Sequence, residues 1–140
     1  MLFRSRRDRG RARRQTASSS SPATPSPPRR SLIPLFEKRL NDLKEHPLVG
    51  EVRNSGLMGG VELVADKATK RSFDPKRGVG AQTAMFLQSH GAILRAIGDT
   101  IALCPPMVIK EDELNALFDR LELALDDAEG WVNKDDLRNA

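Results

Sequence analysis

The hydrophobic positions of residues 32–43 recur at helical spacing. They are Leu32, Leu35, Phe36, Leu40 and Leu43. This period is typical of a helix that buries one face and leaves the other in solvent. Ser31 is a suitable N-cap, Pro34 is tolerable in a first turn, and Pro47 ends the helix. His46 lies at the exit, where a helix-terminal or surface role is expected rather than a catalytic one.

Two strands are predicted next, over residues 49–55 and 57–65. In the second strand Val61, Leu63 and Ala65 alternate with Glu62 and Val64, the pattern of a half-buried sheet. Glycines lie where the first strand ends and the second begins, in residues 56–60. They lack both the dinucleotide-loop spacing and the lysine and hydroxyl of a phosphate loop. We therefore interpret them as positions of a bulge or of close packing.

Two further helices are predicted in the second half of the chain. Asp74 is a suitable N-cap with Pro75 in the first turn, and that helix stops at Gly91. The last helix opens with acidic residues at 111–113, which suit the positive end of a helix dipole. Its apolar stripe consists of Leu114, Leu117, Phe118, Leu121, Leu125 and Ala128.

Between these helices one arginine, Arg95, lies in an otherwise apolar run. Two β-prone pieces, residues 92–97 and 100–103, flank Gly98-Asp99, which predicts a tight turn with a positive φ and an aspartate that bonds its own backbone. An arginine does not lose its charge, so sequestering it is costly unless an anion is near. That anion is either a structural carboxylate, with Asp99 and Glu62 as candidates, or the carboxylate of a substrate.

The order helix, strand, strand, helix, short hairpin, helix predicts the fold class. It indicates an α/β (α+β) sandwich in which helices cover one face of a small, largely antiparallel sheet.

Cys104 follows the hairpin without a neighbouring histidine or basic residue to activate its thiol. We therefore expect it to be a small buried packing residue.

Charge divides the chain into two parts. The net charge is +4, yet residues 1–30 carry nine arginines and one aspartate, while residues 31–140 carry 14 Lys and Arg against 18 Asp and Glu. The first part is rich in Arg, Ser and Pro and is expected to be disordered. Three interpretations of it stay open: a leader without function, an organelle transit peptide, and an arginine arm for nucleic acid. No aromatic residue interleaves the arginines after Phe3, which weakens the third.

Cysteine content and hydropathy limit the cellular setting. Cys104 is the single cysteine, so an internal disulfide is excluded and a reducing compartment is indicated. No apolar run approaches the length of a membrane span. We expect a cytoplasmic location, or an organelle if the arginine-rich start is a transit peptide, and neither a membrane nor nucleic acid as a partner.

Residues 46–53, 56–63 and 91–106 together resemble the C-terminal small domain of the class III aminotransferases. These are pyridoxal-phosphate enzymes of the ω-amino acid:pyruvate type, and the resemblance runs from about residue 35 to about residue 128. It implies a small domain of the fold-type I kind that closes over a cofactor held by a larger domain, with the two subunits of a homodimer completing each site. It also implies that Arg95 binds the substrate carboxylate and swings aside for a bulky or apolar substituent.

The resemblance divides the chain into a leader (residues 1–30), the small domain (31–128) and a tail (129–140). The complete enzyme would transfer an amino group from an amine or ω-amino acid to a 2-oxo acid. Pyridoxal catalysis needs a Schiff-base lysine, an acid facing the pyridine nitrogen and donors for the phosphate. The seven lysines fall on polar helix faces, in loops or in the tail.

We therefore expect the chain alone to be inactive and not to hold pyridoxal phosphate by itself. No catalytic, cofactor-binding or metal-binding residue is assigned, and Arg95 is the one substrate-binding residue. The alternative is a stand-alone interaction module that keeps the fold without catalysis and presents its cofactor-facing surface to another chain.

Overall fold

The computed structural model describes residues 28–139, which form three α-helices and one four-stranded sheet. The α-helices are α1 (Pro28–Asp42), α2 (Val79–Ser89) and α3 (Glu111–Lys134), and short 3-10 helices lie at Leu43–Glu45 and Pro75–Arg77. The strands are β1 (Val49–Ser55), β2 (Met58–Leu63), β3 (Arg95–Ile97) and β4 (Thr100–Leu103). The predicted order of elements and the predicted fold class are confirmed.

The sheet is antiparallel throughout, with the strand order β1-β2-β4-β3. Successive side chains of a strand point to opposite faces. On one face Val61 pairs with Ile101, and both are fully buried, as are Leu63 and Leu103 in the same two strands. This face belongs to the hydrophobic core, as the alternating pattern of the second predicted strand indicates.

The helices cover this one face of the sheet. Phe36 of α1 packs over Gly59 of β2 so closely that a Cβ at Gly59 would lie 3.0 Å from the Phe36 ring. Phe36 also meets Phe118 of α3 edge to face, with ring centroids 5.5 Å apart. Burying side chains of this size contributes about 1.5–3 kcal/mol each. The apolar stripes of α1 and α3 therefore hold the layers together.

Arg39 reinforces the contact between α1 and α3. Its Nη2 atom lies 2.5 Å from Asp119 Oδ1 and 3.3 Å from Glu122 Oε1. The guanidinium also lies over the Phe118 ring, 5.6 Å from its centroid. The stem of this arginine thus covers apolar surface while its charge meets two carboxylates at the edge of the core.

Two predicted helix starts are wrong. Helix α1 begins at Pro28, so Ser31 is not its N-cap and Pro34 lies inside the helix instead of in its first turn. Burial of Leu32, Phe36 and Leu40 offsets the one main-chain hydrogen bond that a proline removes. Asp74 caps only the 3-10 helix, by accepting from Lys76 N at 3.0 Å.

The second boundary differs because of Gly78. This residue has a positive φ of 59°, which separates the 3-10 helix from α2. The predicted single helix is therefore two short ones. Helix α2 ends at Ser89, close to the predicted stop at Gly91.

Helix α3 begins at Glu111, as predicted, and continues past Ala128 to Lys134. Trp131 lies on this extension and packs edge to face on Phe86 of α2, with ring centroids 6.4 Å apart. Val132 and Leu137 are buried. Most of the predicted leader, residues 1–27, lies outside the described residues.

Helix α2 meets the β3–β4 hairpin at Gly80, and this contact is testable. A Cβ at Gly80 would overlap the carbonyl oxygen of Gly98 and lie 2.9 Å from Asp99 Cα, so alanine does not fit without a shift of the backbone. We expect Gly80→Ala to lower the free energy of unfolding of the full chain by about 1–3 kcal/mol. Urea unfolding followed by circular dichroism measures this change.

Gly130→Ala is the matched control. Gly130 lies inside α3, and a Cβ at this position would have no neighbouring atom within 4 Å. Alanine is the better helix former, so this change should raise the free energy of unfolding by about 0.5–1 kcal/mol. Equal stability of the two variants would contradict the close approach at Gly80.

Candidate functional site

The second face of the sheet, which we call the open face, contains no buried residue. Antiparallel partners share a face, so the register assigns ten residues to it. They are Glu51, Arg53, Ser55, Met58, Gly60, Glu62, Arg95, Ile97, Thr100 and Ala102. All are half-buried or exposed, and Met58 and Ile97 are 62% and 60% exposed. The candidate site lies on this face.

One row of the open face ends in an arginine on each side. Across the four strands the partners are Arg53, Gly60, Ala102 and Arg95. Three strand spacings place the two arginine backbones about 14 Å apart. Gly60 has no side chain and Ala102 has only a methyl group, so no large side chain rises from the sheet between the two guanidinium groups. A small anionic molecule has room there.

The two arginines differ in their partners. Arg53 Nη2 lies 3.5 Å from Glu62 Oε2, and Arg53 Nε lies 3.6 Å from Glu51 Oε1. Arg95 is exposed and has no ion pair or hydrogen-bond partner for its side chain within residues 28–139. The structural alternative, an ion pair with Asp99 or Glu62, is therefore not formed, and the arginine is not sequestered.

The position of β3 explains this difference. It is an outer strand of the sheet, paired on one side with β4, and its first residue is Arg95. The apolar run around Arg95 indicated burial, but Ile93 and Ile97 of that run are themselves exposed, at 82% and 60%. Only the alternate positions, such as Ala92, reach the core.

The Gly98-Asp99 turn forms as predicted, with a φ of 59° at Gly98. The role of the Asp99 side chain is different from the predicted one. Its Oδ1 atom accepts a hydrogen bond from Gly80 N of α2 at 3.1 Å, instead of bonding its own turn. The carboxylate nearest to Arg95 along the chain therefore binds the N-terminus of α2 and does not pair with Arg95.

Lys70, one of the exposed loop lysines, is a charged neighbour of the open face. Its Nζ atom lies 3.7 Å from Glu51 Oε2. The loop that carries it is held by Asp66, which accepts from Thr69 Oγ1 and Ala68 N at 2.9 Å each. The Thr69 hydroxyl, followed by the Ala68 N–H, lowers the pKa of Asp66. Lys70 therefore adds a positive charge beside Glu51 of the open face.

Cys104 is exposed, so the prediction of a buried packing residue is wrong. It follows Leu103, which is fully buried at the end of β4. Strand alternation therefore turns the next side chain away from the core.

No group of histidine, cysteine and carboxylate side chains suited to a metal ion occurs in the described part of the chain.

The two histidines pair with α3. His46 follows the 3-10 helix at Leu43–Glu45, and its Nε2 atom lies 3.1 Å from Asp126 Oδ1. His90 Nε2 lies 2.6 Å from Asp127 Oδ2. The predicted helix-terminal position of His46 is confirmed.

None of the helices in residues 28–139 combines the length and apolar character that a membrane crossing requires.

Comparison with known proteins gives a consistent family relationship. The family model for "Aminotransferase class-III" matches residues 30–125. The adenosylmethionine-8-amino-7-oxononanoate aminotransferase of Geobacter sulfurreducens is 39% identical over 93 residues, covering 66% of this chain and 20% of the relative. The putrescine–pyruvate aminotransferase of Pseudomonas aeruginosa is also 39% identical, with the same coverage.

A solved structure shares the fold. The PLP-bound aminotransferase mutant from Vibrio fluvialis superimposes with a TM-score of 0.75 at 36% identity, covering 80% of this chain and 25% of that protein. The chain thus spans about a fifth to a quarter of the length of the relatives it matches.

The described residues do not fit pyridoxal phosphate on their own. All seven lysines are exposed, and none lies in the row between Arg53 and Arg95. The carboxylates of the open face, Glu51 and Glu62, are paired with Arg53, so neither is free to face a pyridine nitrogen. The guanidinium groups could bind an anion, but no Schiff-base amine accompanies them.

The exposure of all seven lysines can be tested in the full chain. Pyridoxal phosphate followed by borohydride should label several exposed lysines at low stoichiometry, because none of their amines has surroundings that would single it out. Peptide mapping by mass spectrometry measures the distribution. One lysine labelled to near unit stoichiometry, at concentrations where the others stay unlabelled, would contradict this result.

Proposed function

Because the chain belongs to the class III aminotransferase family, we propose that it is the C-terminal part of such an enzyme and that Arg95 binds the carboxylate of the substrate. In the complete enzyme a larger domain covers the open face and holds the cofactor. The reaction is transfer of an amino group from an amine or ω-amino acid to a 2-oxo acid. This family uses pyridoxal phosphate, and the Vibrio fluvialis relative is described as PLP-bound.

The observation that carries the proposal is the contrast between the two arginines of the row. Arg53 has two carboxylate neighbours, whereas Arg95 has no partner within the described residues. A guanidinium remains charged at every physiological pH and matches a carboxylate with two parallel N–H···O bonds. Arg95 therefore has its full donor set available for an external anion.

The surroundings of Arg95 suit a carboxylate at the end of a small organic molecule. Ala102 lies directly beside it in the register and Gly60 lies beyond Ala102, so no bulky side chain separates the guanidinium from the middle of the open face. Ile97 lies two residues along the same strand face and is 60% exposed. It offers apolar contact for the carbon chain of a substrate.

Arg95 contributes orientation and not bond formation. When bound in the larger domain, pyridoxal phosphate supplies the Schiff-base chemistry and the electron sink. The arginine holds the far end of the substrate, so that the reacting amine or carbonyl reaches the cofactor in a productive pose. The exposure of all seven lysines of the chain is consistent with this assignment of the Schiff-base chemistry to the larger domain.

A chimaera tests this proposal. Residues 28–139 of this chain would replace the matching segment of the Vibrio fluvialis aminotransferase, and Arg95→Ala would be made in that chimaera. We expect the KM for a substrate with a carboxylate, such as pyruvate, to rise about 10- to 100-fold, since a charge-assisted pair contributes about 1.5–3 kcal/mol. The KM for an amine without a carboxylate should change less than about twofold.

Arg77→Ala is the control, because Arg77 is an exposed arginine of the 3-10 helix and is not part of the open face. It should leave both KM values unchanged. Unchanged carboxylate kinetics in Arg95→Ala would refute the substrate role. A chimaera that folds and binds cofactor but does not transaminate would instead favour the non-catalytic interaction module.

A further inference from the structure

We propose that Asp99 is a positioning residue that clamps the β3–β4 hairpin onto the N-terminus of α2 and thereby fixes the strand that carries Arg95. The inference rests on the substrate role proposed above for Arg95. It adds a residue that does not touch the substrate and that acts through the backbone of the hairpin.

The first contact of the clamp is the side chain of Asp99. Its Oδ1 atom accepts from Gly80 N at 3.1 Å, from a position 19 residues away in sequence. The N-cap residue of α2 is Gly78, which has no side chain, and the helix has no side-chain cap of its own. The first N–H groups of a helix lack intrahelical partners, and a carboxylate near them is stabilised by the helix dipole. Asp99 therefore provides the cap that the local sequence lacks.

The second contact is the backbone of the same turn. The carbonyl oxygen of Gly98 occupies the space that a Cβ at Gly80 would need, so the turn rests directly on the first turn of α2. On the other side, Leu63 N of β2 donates to the carbonyl oxygen of Asp99 at 2.8 Å. One residue thus fastens the turn to a helix through its side chain and to a neighbouring strand through its main chain.

The position of β3 makes this attachment important for Arg95. The strand has three residues, Arg95–Ile97, and hydrogen-bonds to β4 on one side. It connects to the turn at Ile97, which is 60% exposed and contributes little packing. A strand held on one side can shift when its turn is released. Substrate orientation is sensitive to displacements of about 1 Å.

Nuclear magnetic resonance on the full chain tests the clamp without any enzymatic activity. Asp99→Ala should speed hydrogen exchange at the Gly80 amide about 10-fold, as expected for loss of one charge-assisted bond. It should also lower the 15N order parameters of β3, including Arg95, while exchange at the buried Leu121 and Leu125 amides of α3 stays unchanged. Asp99→Asn keeps an acceptor oxygen and should preserve most of both signals.

Asp74→Ala is the matched control. Asp74 also caps a helix with its carboxylate, through Lys76 N at 3.0 Å, but its carboxylate makes no hydrogen bond to the hairpin at residues 95–103 of the described chain. This variant should leave Gly80 exchange and the β3 order parameters at their original values. If Asp99→Ala accelerates Gly80 exchange yet leaves β3 as ordered as before, Asp99 is only a helix cap and the proposal is overturned.

A double-mutant cycle in the chimaera separates this proposal from the substrate role of Arg95. Asp99→Ala alone should raise the KM for pyruvate about 10-fold, with little change for an amine that lacks a carboxylate. In the Arg95→Ala background the same change should have no further effect. If Arg95→Ala alone has no effect, the substrate role fails. If the two effects multiply independently, the substrate role stands and the positioning role fails.

Discussion

One-sided burial of the sheet is the constraint on which the rest of the structure depends. The buried apolar residues of β2 and β4, which are Val61, Leu63, Ile101 and Leu103, all point to one face. Helices α1 and α2 lie on that face, and α3 covers them through contacts such as Phe36 with Phe118. Because the hydrophobic effect is satisfied on this side alone, the other face is left with polar, small and a few exposed apolar residues.

The open face is therefore a product of the same alternation that builds the core. It places Arg53 and Arg95 at the two ends of one row, with Gly60 and Ala102 between them. The acids of the face, Glu51 and Glu62, gather around Arg53, and the acid nearest to Arg95 in sequence caps α2. This distribution leaves the donors of Arg95 available, and in the proposed function these donors bind the substrate carboxylate.

All seven lysines of the chain are exposed, and none lies in the row between Arg53 and Arg95. The chain spans about a fifth to a quarter of the relatives that it matches, and pyridoxal catalysis needs an amine, an acid and phosphate donors brought together in one cavity. The described part provides a surface on which the exposed Arg95 side chain has no partner within residues 28–139. In the proposed function, this surface becomes a site when another domain supplies the opposite wall.

Sequence patterns alone determined which segments are helices and strands, and their order. Apolar periodicity revealed the longer elements, such as α3 with its stripe from Leu114 to Ala128, whereas capping and turn residues marked α2 and the hairpin. The Gly-Asp dipeptide located the turn at residues 98 and 99, and a single charge in an otherwise apolar run selected Arg95. Tertiary structure decided the partners. Whether Asp99 meets Arg95 or Gly80, whether Cys104 faces inward, and where α1 begins depend on contacts between residues distant in sequence. Local patterns do not encode such contacts, since they are set by the packing of whole elements against one another.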